Sequence, residues 1–395
     1  MKQTLFQAYL YSTLYLIVFC TGCQQTTEQE AAKTQVIAES SPEWSNLLLN
    51  KKGWIGADGI YCVPLNGVER PGEAQQTKTL FWFSDTIIGD IEDDSLQQGW
   101  EMVHNSIAYL TGGDPDKEKM DFFWAKDDDG KARSVFEPHT PEAQVNEYYW
   151  LGDGFFNHRL DSTIYIFAYR IRNLPEGAFP FEDVGVNLIA IPKGSQPPFN
   201  EQRQMDTPLF HIGKKGKSVF GINVLANTTG AGAPQPDGYI YVYGIRGTNK
   251  ELLVARVEEE LFEDFQAWTY WDGQSWNSSI DESAAITDRI SNEMSVSFME
   301  DGRVIAAFQV DTNSPSIAIQ VAKTPIGPFF PFKKVYETPE IYEDIDFYTY
   351  NAKAHPHLST PGELLISYNV NAFDFENKLY QHPNHCRPRF IRVKY

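Results

Sequence analysis

Five times along the chain, a strand-like run that begins with small and polar residues is followed by a turn and then by a β-branched or aromatic run. The pairs are GADGIYCVPL with KTLFWFSDT, LGDGFFNHRLDSTIYIFAYRI, VLANTTGAGAPQPDGYIYVYGI, NEMSVSFMEDGRVIAAFQVD and NAKAHPHLSTPGELLISYNVN. Repetition of one hairpin unit confines the chain to architectures that array similar sheets. No convincing amphipathic helix accompanies the hairpins, so the fold class is read as all-β.

The polar openings of the hairpins fall at Asp58, Asp153, Asn227, Glu293 and Asn351, at intervals of 95, 74, 66 and 58 residues. A four-stranded blade takes about 40 to 50 residues. Loops must therefore be inserted, most obviously between Asp85 and Tyr149. A five-bladed β-propeller explains the openings, because its innermost strands line a central channel and their starting ends converge at one mouth. A β-sandwich also has many short strands but gives no reason for five similar openings. The tail RPRFIRVKY reads as a last strand, expected to complete the first blade and to bring Arg387 and Arg389 beside it.

Three segments follow from the ends of this pattern: an export signal over 1–22, a tether over 23–41 and the β domain over 42–395. Lys2 precedes an apolar stretch from Leu10 to Phe19 that is too short to span a bilayer. Cys20-Thr21-Gly22-Cys23 resembles a lipobox, which points to lipidation of Cys23 and to a membrane-anchored place in the cell envelope, periplasm-facing or at the surface. Cys20 stands where leucine is usual, which leaves simple secretion as the alternative. The stretch after Cys23 is rich in Gln, Thr, Glu, Ala and Ser and has too little apolar surface to offset its ordering entropy.

The formal charge of −20, with no basic stripe, excludes a nucleic-acid partner. An aromatic content of 14% suits both strands and platforms on which sugars stack, so the expected partner is a polysaccharide or oligosaccharide. After processing only Cys62 and Cys386 remain, either as a disulfide or as two buried thiols.

Glycosidic hydrolysis needs two carboxyl groups, a proton donor and a base or nucleophile. Asp58 in GADG and Asp85 at the end of LFWFSDT are joined by one hairpin and form the expected catalytic pair, with Glu293 in NEMSV as a third candidate. Asp153 repeats the glycine setting in LGDG. An Asp beside Gly is also an ordinary turn residue that bonds its own backbone. Groups suited to sugar hydroxyls are His104, Asn105, Asn227, Asn292, His355, Tyr368, Asn369 and Arg387, each of which could instead satisfy a buried backbone group. On a strand His355 and His357 would share a face, but no third ligand stands at zinc spacing. No cofactor is expected, calcium held by oxygen ligands being the one metal left open. Gly-x-Ser-x-Gly, phosphate loops, paired CxxC and HExxH are all missing from the sequence.

GADGIYCVPL, LFWFSDTIIG, MVHNS, NEMSVSF, TPIGPF, HPHL, LLISYNVN and the closing RPRF together resemble bacterial five-bladed propeller proteins of the domain of unknown function families 4185 and 5005. The match is closer to the 5005-like branch and covers the chain from about Trp54 to Tyr395. Family 4185 is similar to glycoside hydrolase family 183, whose activity is endo-D-arabinanase. The resemblance implies hydrolysis of furanosides, with Asp58 and Asp85 at the positions of that family's motif aspartates. Ser84 replaces a common glycine, and Cys62 a common serine. The resulting expectation is a glycoside hydrolase acting on an arabinan-like or related polysaccharide. Its rivals are a non-catalytic glycan-binding surface lipoprotein and a protein-interaction propeller.

Overall fold

Runs of β-branched and aromatic residues carry most of the chain into antiparallel strands. The computed structural model describes residues 36–176 and 180–395. Ala38–Val393 form one unit; the other, Met1–Ile37 with Lys394–Tyr395, holds few described residues.

Five meanders follow one another in sequence. The first runs through Ile60–Pro64, Lys78–Phe83, Ser106–Thr111 and Met120–Phe123. The second contains Glu147–Asn157, Thr163–Asn173, Phe181–Ile191 and Arg203–Asp206. The third is built on Gly216–Asn227, Tyr239–Arg246, Glu251–Glu258 and Thr269–Trp271, with short strands added at both edges. The fourth contains Met294–Phe298, Val304–Gln309, Ser316–Ala322 and Lys333–Glu337. The last contains Phe347–Ala354, Glu363–Ala372, Arg389–Lys394 and Ile37–Ser40.

The leading strands pack in order. Glu147–Asn157 lies against both Ile60–Pro64 and Gly216–Asn227, and Met294–Phe298 lies against both Gly216–Asn227 and Phe347–Ala354. The first and last leading strands meet through side chains, Lys353 over the Tyr61 ring at 4.2 Å and Cys62 Sγ at 3.2 Å from His355 Nδ1. Apolar clusters fill the space between neighbouring sheets: Leu80, Ile107, Leu151 and Ile166 between the first and second, Phe167, Leu188, Phe220 and Val242 between the second and third. Convergence of the leading strands demands small residues. A Cβ on Gly152 would stand 2.6 Å from Gly221 O, closer than any real contact.

The first meander carries an extension. Lys52–Ala57, Thr86–Glu92 and Glu101–Val103 form a separate sheet beyond the breaks at Asp58-Gly59, Ser84-Asp85 and His104-Asn105. Three strands thus interrupt their pairing at one level. Three other leading strands have register shifts at the equivalent place, between Leu151 and Gly154, between Phe220 and Asn223 and between Tyr350 and Lys353, and Asn351 there adopts φ 60°. Such bulges re-aim the side chains they carry.

Several expectations need correction. The C-terminal strand completes the last meander and not the first, lying between Glu363–Ala372 and Ile37–Ser40. Its position is fixed by Phe390, which packs on Trp44, and by Arg392, which pairs with Glu43 and Glu363 at 2.9 and 2.7 Å. Ile37–Ser40 falls within the expected tether yet forms a strand, and Ser41 N–H donates to Phe390 O at 2.8 Å. Two short α-helices are present among the described residues, Pro42–Leu47 and Phe375–Gln381, the former burying Trp44 and Leu47. Cys62 and Cys386 are free thiols. The export signal and Cys23 lie outside the described residues. Among the described residues, no helix is long and apolar enough to cross a membrane.

Candidate active site

Asp58 and Asp85 occupy the strand breaks of the first meander, cross-strand from one another. Asp58 N–H donates to Asp85 O at 3.0 Å, and Ser84 N–H donates to Asp58 O at 2.9 Å. Gly59, at φ 49°, makes the sharp turn in the chain that follows Asp58, and its lack of a side chain leaves room for Ser84 Oγ. The Asp58 carboxylate lies deep but keeps part of its surface accessible. Burial, and next the negative charge of Asp85, hold its pKa well above the usual carboxylate range; Glu293 adds to this, while the Tyr350 hydroxyl and Lys353 oppose it. Tyr350 donates to Asp58 Oδ2 at 2.8 Å.

Asp85 is held from the other side. His104 Nδ1 and Trp150 Nε1 both donate to its Oδ1, at 2.8 and 3.0 Å, which leaves Oδ2 as the oxygen available to a ligand. Two carboxyl groups therefore sit beside one another at the strand breaks, one disposed to keep its proton and one fixed by two N–H donors. That asymmetry is what an acid and a base require.

Glu293 precedes the fourth leading strand and is fully committed. Its Oε1 accepts from Asn351 Nδ2 at 2.8 Å and its Oε2 pairs with Lys353, whose side chain is 1% exposed. It contributes negative charge near Asp58 from a fixed ion pair.

Asp153 and His355 lie elsewhere. Both line a cavity of about 460 Å³, together with Cys62, Glu69, Arg70 and Asn223, and neither Asp58, Asp85 nor Glu293 borders it. The cavity is formed by later residues of the leading strands and the turns that follow them. Asp153 accepts from Asn223 Nδ2, Val224 N and Gly154 N, and burial outweighs those bonds to push its pKa up to about 7. His355 is buried between Cys62 and Ser367, and burial pushes its imidazole pKa well below the usual value. His357 Nε2 stands 3.8 Å from the same sulfur and Nδ1 3.4 Å from Glu69. Among the described residues, no group of three or more His, Cys, Asp or Glu is arranged to hold a metal ion.

Among the described residues, the remaining candidates make no hydrogen bond to either carboxylate of the pair. Asn105 is fully buried, and its amide bonds the Phe136 N–H and the carbonyls of Phe136 and Tyr149. Asn227 ends its strand instead of opening it, with its carbonyl capping the turn at Asp237 and Gly238; the residue at the third meander's bulge is Asn223. Asn292 is exposed and accepts from Lys250. Tyr368 donates to Glu340, and Asn369 is fully buried. Arg387 donates to Ser45 O and Arg389 to the Arg387 and Asn384 carbonyls, so neither joins the carboxylate pair.

Sequence reasoning passed over Trp150, Tyr350 and Lys353. The signal was present in YYWLGD and YTYNAK, where aromatic residues two apart precede a bulge and therefore share a strand face. Lys353, a charge inside an otherwise apolar strand, was a further one.

Nothing among curated proteins matches the sequence. Among solved structures, a provisionally designated hydrolase from Bacteroides ovatus ATCC 8483 overlays with a TM-score of 0.69 at 20% identity, covering 91% of this chain and 90% of its own. A protein of unknown function from Dyadobacter fermentans DSM 18053 gives 0.43 at 10% identity, covering 92% and 98%. An exo-beta-1,3-galactanase from Phanerochaete chrysosporium, solved with beta-1,3-galactotriose, gives 0.47 at 8% identity, covering 91% and 64%. The Bacteroides ovatus overlay shows a shared fold across nearly the full length of both chains. The family described as Domain of unknown function (DUF5005) matches residues 42–395, which hold all five meanders except the strand Ile37–Ser40, and the chain belongs to that family.

Proposed function

We propose that the five meanders are the blades of a five-bladed propeller and that the protein is a glycoside hydrolase acting on a furanoside-containing, arabinan-like or related polysaccharide. The observation that carries this reading is the Asp58–Asp85 pair, bonded backbone to backbone and differently treated by its surroundings. Asp58 donates its proton to the departing glycosidic oxygen as the bond to the anomeric carbon breaks. Asp85 acts from the other side, either taking a proton from an attacking water or itself bonding the anomeric carbon. Tyr350 steadies the carboxylate that Asp58 becomes, and His104 and Trp150 keep Asp85 aimed. Cys23 carries the lipid that anchors the domain at the cell envelope.

The test is a panel of arabinans, galactans, levans and xylans incubated with the purified protein, with new reducing ends measured. Release of reducing ends that stops in Asp58→Asn and Asp85→Asn supports the reading. Affinity for a glycan without any products replaces the hydrolase by a glycan-binding lipoprotein.

A further inference from the structure

The strands on either side of the carboxylate pair carry the same device. In the second meander, Tyr148 and Trp150 are two apart, half-buried, with ring centroids 6.0 Å apart, and Phe181, two strands along the same sheet, packs edge-on to Trp150 at 4.6 Å. In the last meander, Tyr348 and Tyr350 are two apart, half-buried, with centroids 5.4 Å apart, and Phe373 continues the row at 4.8 Å from Tyr348. The residues between them, Tyr149 and Thr349, point the other way and are fully buried. Each row touches one carboxylate by its inner ring: Trp150 donates to Asp85 and Tyr350 to Asp58. The outer members lie farther from the pair, Tyr148 stacked on His104 at 3.6 Å and Phe373 with 65% of its surface exposed.

An exposed phenylalanine and half-exposed tyrosines gain nothing for the fold from their accessible faces. Flat apolar faces beside hydroxyl and N–H donors match the mixed apolar and polar faces of a sugar ring. Resting on the hydrolase reading above, we propose that the two aromatic rows are sugar-stacking subsites on opposite sides of the scissile bond, so that a polysaccharide lies across the mouth and is cut within its length. A site that removed single units from a chain end would need a wall on one side, whereas here both sides are platforms.

Product analysis on the same polymer panel tests this, using the full chain and its Tyr148→Ala and Phe373→Ala variants. Early products should be mid-length oligosaccharides, with viscosity falling before monosaccharide accumulates. Each variant should lower kcat/KM on the polymer by about three- to tenfold, the worth of one aromatic contact. Monosaccharide as the sole early product, or an effect of only one of the two variants, overturns the proposal. If no polymer is cut, retardation of the protein in polysaccharide-containing native gels separates the two readings. Retardation lost in both variants keeps the subsites and removes the hydrolase, retardation unaffected by either removes the subsites, and no retardation on any polymer removes both.

Discussion

Asp58 and Asp85 are tied to each other by their backbones, the amide of Asp58 donating to the Asp85 carbonyl at 3.0 Å. That bond fixes the two residues side by side, and Tyr350, His104 and Trp150 hold their carboxyl groups. Replacing either with Asn preserves size and should preserve folding, while turnover falls by about 10²- to 10⁴-fold. The alkaline limb of the pH profile belongs to Asp58, whose pKa is held well above the usual carboxylate range by burial and by the charge of Asp85. Activity should therefore decline only as pH climbs above the usual carboxylate range, which steady-state rates across pH will show.

Lys353 and Glu293 form a buried ion pair. Changing Lys353 to Met leaves the Glu293 carboxylate uncompensated and should cost about 3–5 kcal/mol. Adding Glu293→Gln removes the stranded charge and should recover much of that loss. Denaturant melts of the single and double variants measure it, and equal stability of the two would contradict the pairing.

Asp153 gives a pH signature in stability. Its folded pKa of about 7 lies above the 3.8 of a free carboxyl, so the folded form holds the proton more tightly. Stability from this group is complete below pH 3.8 and is lost as pH rises to about 7, by roughly 4 kcal/mol across the window. Asp153→Asn should flatten that part of the curve, as melting temperatures between pH 4 and 8 will register. A variant with the wild-type slope would assign the slope to other groups.

For the anchor, Cys23→Ser should move the protein out of the membrane fraction or leave it unprocessed. Wild-type protein found wholly in the soluble fraction would remove the lipid from the account.

The hairpins were legible because alternation and turn residues are local. KTLFWF and TIYIFAYRI read as strands and are strands. Asp58, Asp85 and His104 were legible as polar groups at the ends of apolar runs, and the structure links the three through hydrogen bonds to Asp85. What sequence could not show is which end of a leading strand each polar residue faces. Asp153 sits at a bulge, and its carboxylate turns toward Asn223 and the cavity of about 460 Å³. Asn227 looked like an opening because the strand before it, GKSVFGINVL, hides its start behind a glycine at φ 102°. Arg387 was misplaced for another reason. Its partner, Ser45, lies 342 residues away, and nothing local encodes such a contact.

The strand Arg389–Lys394 sits between Glu363–Ala372, which ends shortly before it in sequence, and Ile37–Ser40, which precedes all the other strands of the meanders. The last sheet is a clasp that fastens only when Ile37–Ser40 and Arg389–Lys394 are both present. Removing the final seven residues would strip Ile37–Ser40 of its neighbour and expose the edge of Glu363–Ala372, an unpaired row of amides and carbonyls open to other chains. Truncation at this end should thus show itself as aggregation before it shows itself as lost chemistry.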